Sequence, residues 1–384
     1  MTGQINTPYY IIHEDKLRRN LELISHVSEQ SGAKIIMAFK ANALWKTFGI
    51  IRDYCQASTA SSLNEMRLSL EFLGNDVHAY CPVYTDTTIG EFVEGCSHIV
   101  FNSVAQYEKY RDYVDGYNAS NAAEKRVSCG LRVNPECSVI ETDIYNPCKP
   151  GSRFGVTRDV LGDVLPEGLE GLHFHCLCES TSYDLEKVLA AFEERFGEFL
   201  PRLKWVNMGG GHLMTREGYD TDHLIDLLRR FRAKYPNLEV ILEPGSAFTW
   251  RTGELIATVL DVVENQGVKT AIIDASIACH MPDCLEMPYK PAITEALAEP
   301  VHGKPTYRIG GNSCLSGDFI GDWSFDKPLA PGDVLTFEDM NHYTTVKTNM
   351  FNGIDHPSMV LLRSDGTVET LREFGYEDYR NRMD

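Results

Sequence analysis

The sequence has no apolar run long enough to cross a bilayer. Stretches such as Thr270–Ile273 and Met359–Leu362 are strand-sized, against the ~20 residues that a spanning helix needs. Excess positive charge is also missing. Lys and Arg number 36 against 55 Asp and Glu, a net charge of −19. That balance excludes the usual electrostatic route to nucleic acid or to an anionic membrane, and it favours cationic small molecules as partners. The segment Met1–Tyr10 lacks a basic stretch followed by an apolar core, so no export signal is read and a cytoplasmic location is expected. No Gly/Ser or Pro-rich linker, internal repeat or low-complexity segment divides the chain. Cysteine is present but unpatterned: eleven residues, an odd and scattered count, expected as reduced thiols and not as a disulfide frame.

What is present is an alternation of short apolar strands with amphipathic helices. Ala33–Phe39, Val77–Cys81, His98–Phe101, Val127–Val133, Gly171–Cys178, Trp205–Met208 and Val240–Glu243 read as strands. Asn64–Leu73, Leu185–Leu200 and Thr221–Lys234 read as helices. This spacing predicts a parallel sheet, and the span fits an α/β fold of the (β/α)8 barrel type over residues 14–252. After Gly253 turn residues become denser and helices thin out. Glu254–Val263, Thr270–Asp274, Thr306–Gly310, Val334–Phe337 and Met359–Leu362 predict a C-terminal antiparallel β-barrel or sandwich domain over 253–384, joined by an N-terminal strand within 8–13.

Several motifs carry chemistry. Lys40 follows the apolar strand in Met37-Ala38-Phe39-Lys40. A lysine at a strand's C-terminal end in a barrel has the position and the apolar setting for Schiff-base chemistry; the plain alternative is a snorkelling strand-end lysine. Gly209-Gly210-Gly211 follows another strand and either offers amides to a phosphate or makes a tight turn. It is not a dinucleotide-binding GxGxxG. Glu243-Pro244-Gly245 ends a strand with a carboxylate, placed either to hold a pyridine nitrogen protonated or simply to be solvated. In His173-Phe174-His175-Cys176-Leu177-Cys178, period-two alternation splits the histidines from the cysteines. All four then cannot serve one tetrahedral ion, and no metal site is expected. Cys314 lies in a glycine-flanked loop, and Asp274 and Asp283 are carboxylates available to a cation. Pro147, Pro150 and Gly151 give Ile140–Arg153 the turn density of a loop able to close over a site.

The order of these motifs, ending in Asn341-His342-Tyr343-Thr344, resembles that of the fold-type III pyridoxal-phosphate decarboxylases, the ornithine/diaminopimelate decarboxylase superfamily. Gly171–Glu179, Lys204–His212, His280–Tyr289 and Tyr145–Cys148 are similar to its branch acting on carboxylated polyamines, the carboxynorspermidine decarboxylases. The resemblance spans nearly the whole chain. It implies pyridoxal 5'-phosphate as cofactor, carried by Lys40, with His175 against its ring and Glu243 on its ring nitrogen. Gly209, Gly210, Gly211 and Tyr343 would serve the phosphate, and Arg132 would lie near the cofactor. It also implies a homodimer in which Cys314 of one copy protonates the product carbanion of the other. Asp283, Asp274 and Ser246 become candidates for the substrate's distal end. Ser246 and Leu315 stand where ornithine enzymes carry arginine and aspartate, which points away from ornithine. The expected reaction is decarboxylation of carboxynorspermidine or carboxyspermidine in polyamine biosynthesis. The alternatives are a conjugate such as carboxyaminopropylagmatine, a diaminopimelate- or arginine-type decarboxylase or a racemase on the same scaffold, and a non-catalytic cofactor-binding relative.

Overall fold

The computed structural model describes residues 5–384, and the first four residues of the Met1–Tyr10 segment lie outside the described residues. The chain forms two units. Arg19–Phe248 make one, and Thr249–Asp384 with the N-terminal residues through Arg18 make the other.

The first unit is a ring of parallel strands. Lys34–Ile35 and Met37–Ala38 are two halves of one strand interrupted at Ile36. One half pairs with Glu239–Leu242 and the other with Ala57–Ala60. The Ile36 amide donates to Leu242 O (2.9 Å) and the Ala38 amide to Pro244 O (3.1 Å). That split strand closes the ring through Asp76–Tyr80, His98–Phe101, Ser128–Arg132, Gly171–His173 and Trp205–Asn207. The result is the expected (β/α)8 barrel. Its interior is a packed apolar core of Ile36, Ala57, Val100, Trp205 and Ile241. The Trp205 indole fits because two neighbouring strand positions are glycine. A Cβ at Gly130 or Gly171 would lie 2.1 or 2.0 Å from that ring, well inside van der Waals contact. Its indole N–H donates to Ser128 Oγ (2.8 Å), so the large ring is buried without an orphaned donor.

The second unit is a nine-stranded sheet centred on the long strand Gly253–Asn265. Leu255, Ala257 and Val259 are buried on one face of it, alternating with less buried Glu254, Ile256 and Thr258, the period of a half-buried strand. Tyr9–His13 joins the sheet beside it. The sheet is mixed where an antiparallel one was expected. Tyr9–His13 runs parallel to Ser358–Leu362, and Val268–Ile273 runs parallel to Thr306–Gly310. The second pairing needs a long crossover, and residues 274–305 provide it with the short helices Ile277–His280 and Pro282–Glu286. No helix among the described residues is long and apolar enough to cross a membrane.

Candidate active site

The barrel's C-terminal strand ends bring together Lys40, Arg132, His173, His175, Asn207 and Glu243. Lys40 lies two residues past its strand, Glu243 one past Glu239–Leu242, and His173 and Asn207 end theirs. The strand expected through Cys178 stops at His173. Beyond it the Phe174 amide donates to Asn207 O (2.9 Å), and the chain turns away from the ring.

Glu243 is buried, and both its oxygens are engaged. His173 Nε2 lies 3.1 Å from Oε1, and Asn207 Nδ2 donates to Oε2 at 3.0 Å. Burial alone pushes the carboxyl pKa up. His173, Lys40 and His175 outweigh that and hold it well below the usual carboxylate range. Burial pushes the imidazoles of His173 and His175 down, so His173 is a neutral Nε2–H donor. The anion therefore has neutral hydrogen-bond donors, and the carboxylate keeps capacity for a further, positively charged N–H. Burial also lowers the Lys40 pKa, against the opposing pull of Glu243. A larger free-amine fraction favours nucleophilic attack.

The glycine triplet presses against the backbones of 174–178 and of Glu243. Added Cβ atoms would meet Phe174 O at 2.5 Å from Gly209, Glu243 O at 2.5 Å from Gly210 and Leu177 O at 2.2 Å from Gly211. Gly209 and Gly211 also take positive φ, 73° and 86°, conformations open to glycine. The structure corrects the expectation of three available amides. The Gly209 amide donates to Asn207 Oδ1 (2.8 Å) and the Gly210 amide to His175 Nδ1 (2.9 Å). The triplet thus fixes the His175 ring and permits close approach, and two of its donors are spent internally. Buried Arg132 donates from Nη2 to His175 O (3.3 Å), with its guanidinium 4.7 Å from the Tyr80 ring and 4.5 Å from Phe154. Ser246 begins the short helix Ser246–Thr249 right after the Glu243-Pro244-Gly245 turn.

The other candidates lie in the second unit. Cys314 is the one exposed cysteine of the eleven. Its loop is braced by buried Asp318, which accepts the amides of Ala278 (2.8 Å) and Ser313 (3.0 Å), while Asn352 Oδ1 accepts that of Cys314 (2.8 Å). Tyr343 holds φ +51°, a strained conformation of a kind that concentrates at functional sites. Asp283 accepts a hydrogen bond from Lys347 Nζ (2.8 Å), which also reaches Glu286. Burial alone would lower the Lys347 pKa, but the two carboxylates raise it. The Asp274 carboxylate accepts from the Thr258 amide (2.8 Å) and the Thr7 hydroxyl (2.6 Å), which ties it to the sheet. Sequence reasoning missed Asn207 as a Glu243 partner and missed Lys347 altogether. The strand-end position of Asn207, level with His173, was a usable signal. Lys347 had none, because its partners lie 61 to 64 residues away.

One His/Asp cluster among the described residues has ion-binding spacing, namely Asp76, His78 and His98. It includes residues near the N-terminal ends of their strands, at the opposite mouth of the barrel. Lys34 Nζ is bonded to it, 2.7 Å from Asp76 Oδ2 and 3.1 Å from His78 Nε2.

A family model described as "Pyridoxal-dependent decarboxylase, C-terminal sheet domain" matches residues 83–341. The chain belongs to the pyridoxal-dependent decarboxylase family. Within that family it is 45% identical, over 99% of this chain and 96% of the relative, to carboxyaminopropylagmatine decarboxylase of Synechocystis. It is 40% identical, over 99% of both chains, to carboxynorspermidine/carboxyspermidine decarboxylase of Campylobacter jejuni. The solved carboxynorspermidine decarboxylase of Campylobacter jejuni, in complex with norspermidine, superposes with a TM-score of 0.88 at 39% identity, covering 98% of this chain and all of that one.

Proposed function

We propose that this decarboxylase removes CO2 from a carboxylated polyamine, of the carboxynorspermidine or carboxyspermidine class, using pyridoxal 5'-phosphate. The observation that carries the cofactor is buried Glu243, an anion with neutral hydrogen-bond donors, near Lys40. The Gly210 amide, which donates to His175 Nδ1, holds that ring in place beside them. Lys40 would hold the cofactor through Nζ, His175 would back its ring and Glu243 would bind its ring nitrogen. Arg132, Gly209, Gly210 and Gly211 would complete the barrel's share of the site, with Tyr343 also serving the phosphate. When bound, the cofactor supplies an electron sink for the pair left at Cα as CO2 departs. Glu243 keeps a proton on the ring nitrogen, which deepens that sink. His173 and Asn207 orient the carboxylate. Cys314, contributed by a second copy of the chain in a homodimer, gives the proton that Cα needs. Asp283 draws the substrate's distal cation, with Ser246 beside the catalytic carboxylate as a further substrate contact.

The higher identity to the Synechocystis protein favours a second reading, carboxyaminopropylagmatine as the substrate. The test is CO2 release from carboxynorspermidine, carboxyspermidine and carboxyaminopropylagmatine, compared by kcat/KM. A preference of about 100-fold, ~2.7 kcal/mol of transition-state discrimination, names the substrate. Turnover of none of the three, by protein carrying its cofactor, overturns the polyamine reading.

A further inference from the structure

One polar cluster inside the barrel takes no part in the proposed chemistry. Period-two alternation places it there. Ile36 and Val100 belong to the apolar core, and Tyr80 packs against it. Lys34, His98 and His78 stand two residues before these three, and Asp76 two residues earlier again, so all four side chains share the inward face. They form a layer at the barrel's N-terminal mouth, with the Trp205 ring edge-on to His98 at 5.2 Å between centroids. Barrel interiors are normally filled by bulky branched side chains. A layer of one carboxylate, two imidazoles and one ammonium costs desolvation that aliphatic residues would not.

The cluster already holds a cation. Lys34 Nζ lies 2.7 Å from Asp76 Oδ2 and 3.1 Å from His78 Nε2, so His78 Nε2 accepts from the ammonium and carries a lone pair. The Ser97 hydroxyl gives its proton to Asp76 Oδ1 at 2.6 Å and therefore accepts from His98 Nδ1 at 3.0 Å. That leaves the lone pair of His98 on Nε2. His78 and His98 are register partners on adjacent strands, and their rings stack at 3.9 Å. One donor atom from each of Asp76, His78 and His98 lies within 4.8 Å of the others.

We infer that Asp76, His78 and His98 form a zinc site at the barrel's N-terminal mouth, where the ion displaces the Lys34 ammonium and a water completes its shell. Two imidazoles and a carboxylate are ligands that zinc accepts. Ligands ~2.0–2.2 Å from a tetrahedral ion sit about 3.4 Å apart, and His78 Nε2 and Asp76 Oδ1 are already 3.4 Å apart. His98 closes the remaining distance by turning out of its stack, which its partial exposure permits. Its bond to Ser97, itself bonded to Asp76, is the outer brace that fixes the tautomer of a ligating imidazole. The Lys34 side chain is 24% exposed, so the displaced ammonium has a path to water. An ammonium engages two of the three donor groups, whereas a divalent ion engages all three. The site shares no residue with the His173–Cys178 run, and it lies at the mouth opposite Lys40 and Glu243.

The test uses the cofactor-loaded protein in a Cys314→Ser background, so that the exposed thiol does not compete for metal. Zinc chloride is titrated by calorimetry, and anomalous diffraction at the zinc edge places the ion. The expected result is one ion per chain, with its peak between Asp76, His78 and His98. His98→Phe keeps a ring stacked on His78 but removes a ligand. It should weaken binding by at least about 100-fold, more than an outer partner is worth, with the metal-free melting temperature unchanged. Asp76→Asn is the second ligand variant and should weaken binding as well. Lys34→Met removes the competing cation and should tighten binding by about tenfold, the scale of a charge-assisted hydrogen bond, whereas Lys34→Arg should not tighten it. No peak at the cluster in the parent or in Lys34→Met, or binding that both ligand variants leave unchanged, overturns the proposal. Weaker binding by Lys34→Met also overturns it, because the lysine would then be a prop of the cluster and not the ion's competitor. None of these readouts involves turnover, so they stand apart from the proposed decarboxylation.

Discussion

Two lysines in the two units of this molecule show opposite uses of one side chain. Lys40 sits at a barrel strand end, where burial lowers its pKa. Lys347 ends the short helix Thr344–Lys347 in the β unit, where Asp283 and Glu286 raise its pKa. The nearest strong anion to Lys40, Glu243, is itself satisfied by His173 and Asn207, so it pulls on the lysine without capturing its proton in a direct salt bridge. Asp283 bonds Lys347 directly. A lysine becomes a nucleophile where neighbours compete for the nearby carboxylate, and a fixed counter-ion where they do not.

The sharpest break in that contrast is Lys40→Ala. It should lower kcat by at least about 10³-fold, the scale of losing a covalent catalyst, and borohydride should then fix no cofactor to the chain by mass. Glu243→Gln preserves size and the Asn207-side acceptor but removes the charge. It should cost about 10²-fold in kcat, the size of losing one preorganised electrostatic contact, with KM little changed. Cys314→Ala should lower turnover by about 10²-fold, within the range for general acid catalysis, while thermal stability stays put, because the side chain is exposed.

Lys347→Met carries a smaller effect. It frees Asp283 and Glu286 for a substrate cation, so KM should fall by about threefold, the scale of an exposed ion pair. A rise in KM would instead show that Lys347 positions Asp283. Smallest is the pH effect. Glu243 titrates lower folded than unfolded, so its contribution is complete above the unfolded carboxylate value near ~4.3 and is lost as pH falls below it. His173 and His175 are held neutral in the fold, so their contribution also fades as pH falls below ~6.5. Thermal melts between neutral pH and pH 3 should show this acid-side decline, and Glu243→Gln should flatten the part below about pH 4 alone.

The barrel was largely legible because its strands are apolar and its helices amphipathic. His98–Phe101 and Thr221–Lys234 form as read. Ala57–Ala60 was not legible: Ala-Ser-Thr-Ala has no large aliphatic residue, and only closure of the ring makes it a fully buried strand. Strands Phe319–Phe325 and Val368–Arg372 escaped for a related reason. Aspartate and serine interrupt the first, and the second shows a single buried residue, Leu371, so neither carries a clean alternation. In the site, Lys40 and Glu243 stood out because each follows an apolar run and precedes a turn. The spent amides of Gly209 and Gly210 did not, since their acceptors, Asn207 Oδ1 and His175 Nδ1, depend on side-chain orientation.

Sequence alone determined the period of the strongly patterned elements, the strand-end positions of Lys40 and Glu243, and the acidic balance. Those are local properties, set by side-chain polarity and chain geometry within a few residues. Tertiary structure alone decided the split strand that closes the barrel, the parallel pairs in the β unit and the pairing of Lys347 with Asp283. It also decided that Glu243 is an anion held by neutral donors. Each of these depends on which distant groups share a buried space, and burial is what turns a carboxylate, a thiol or an amine into chemistry.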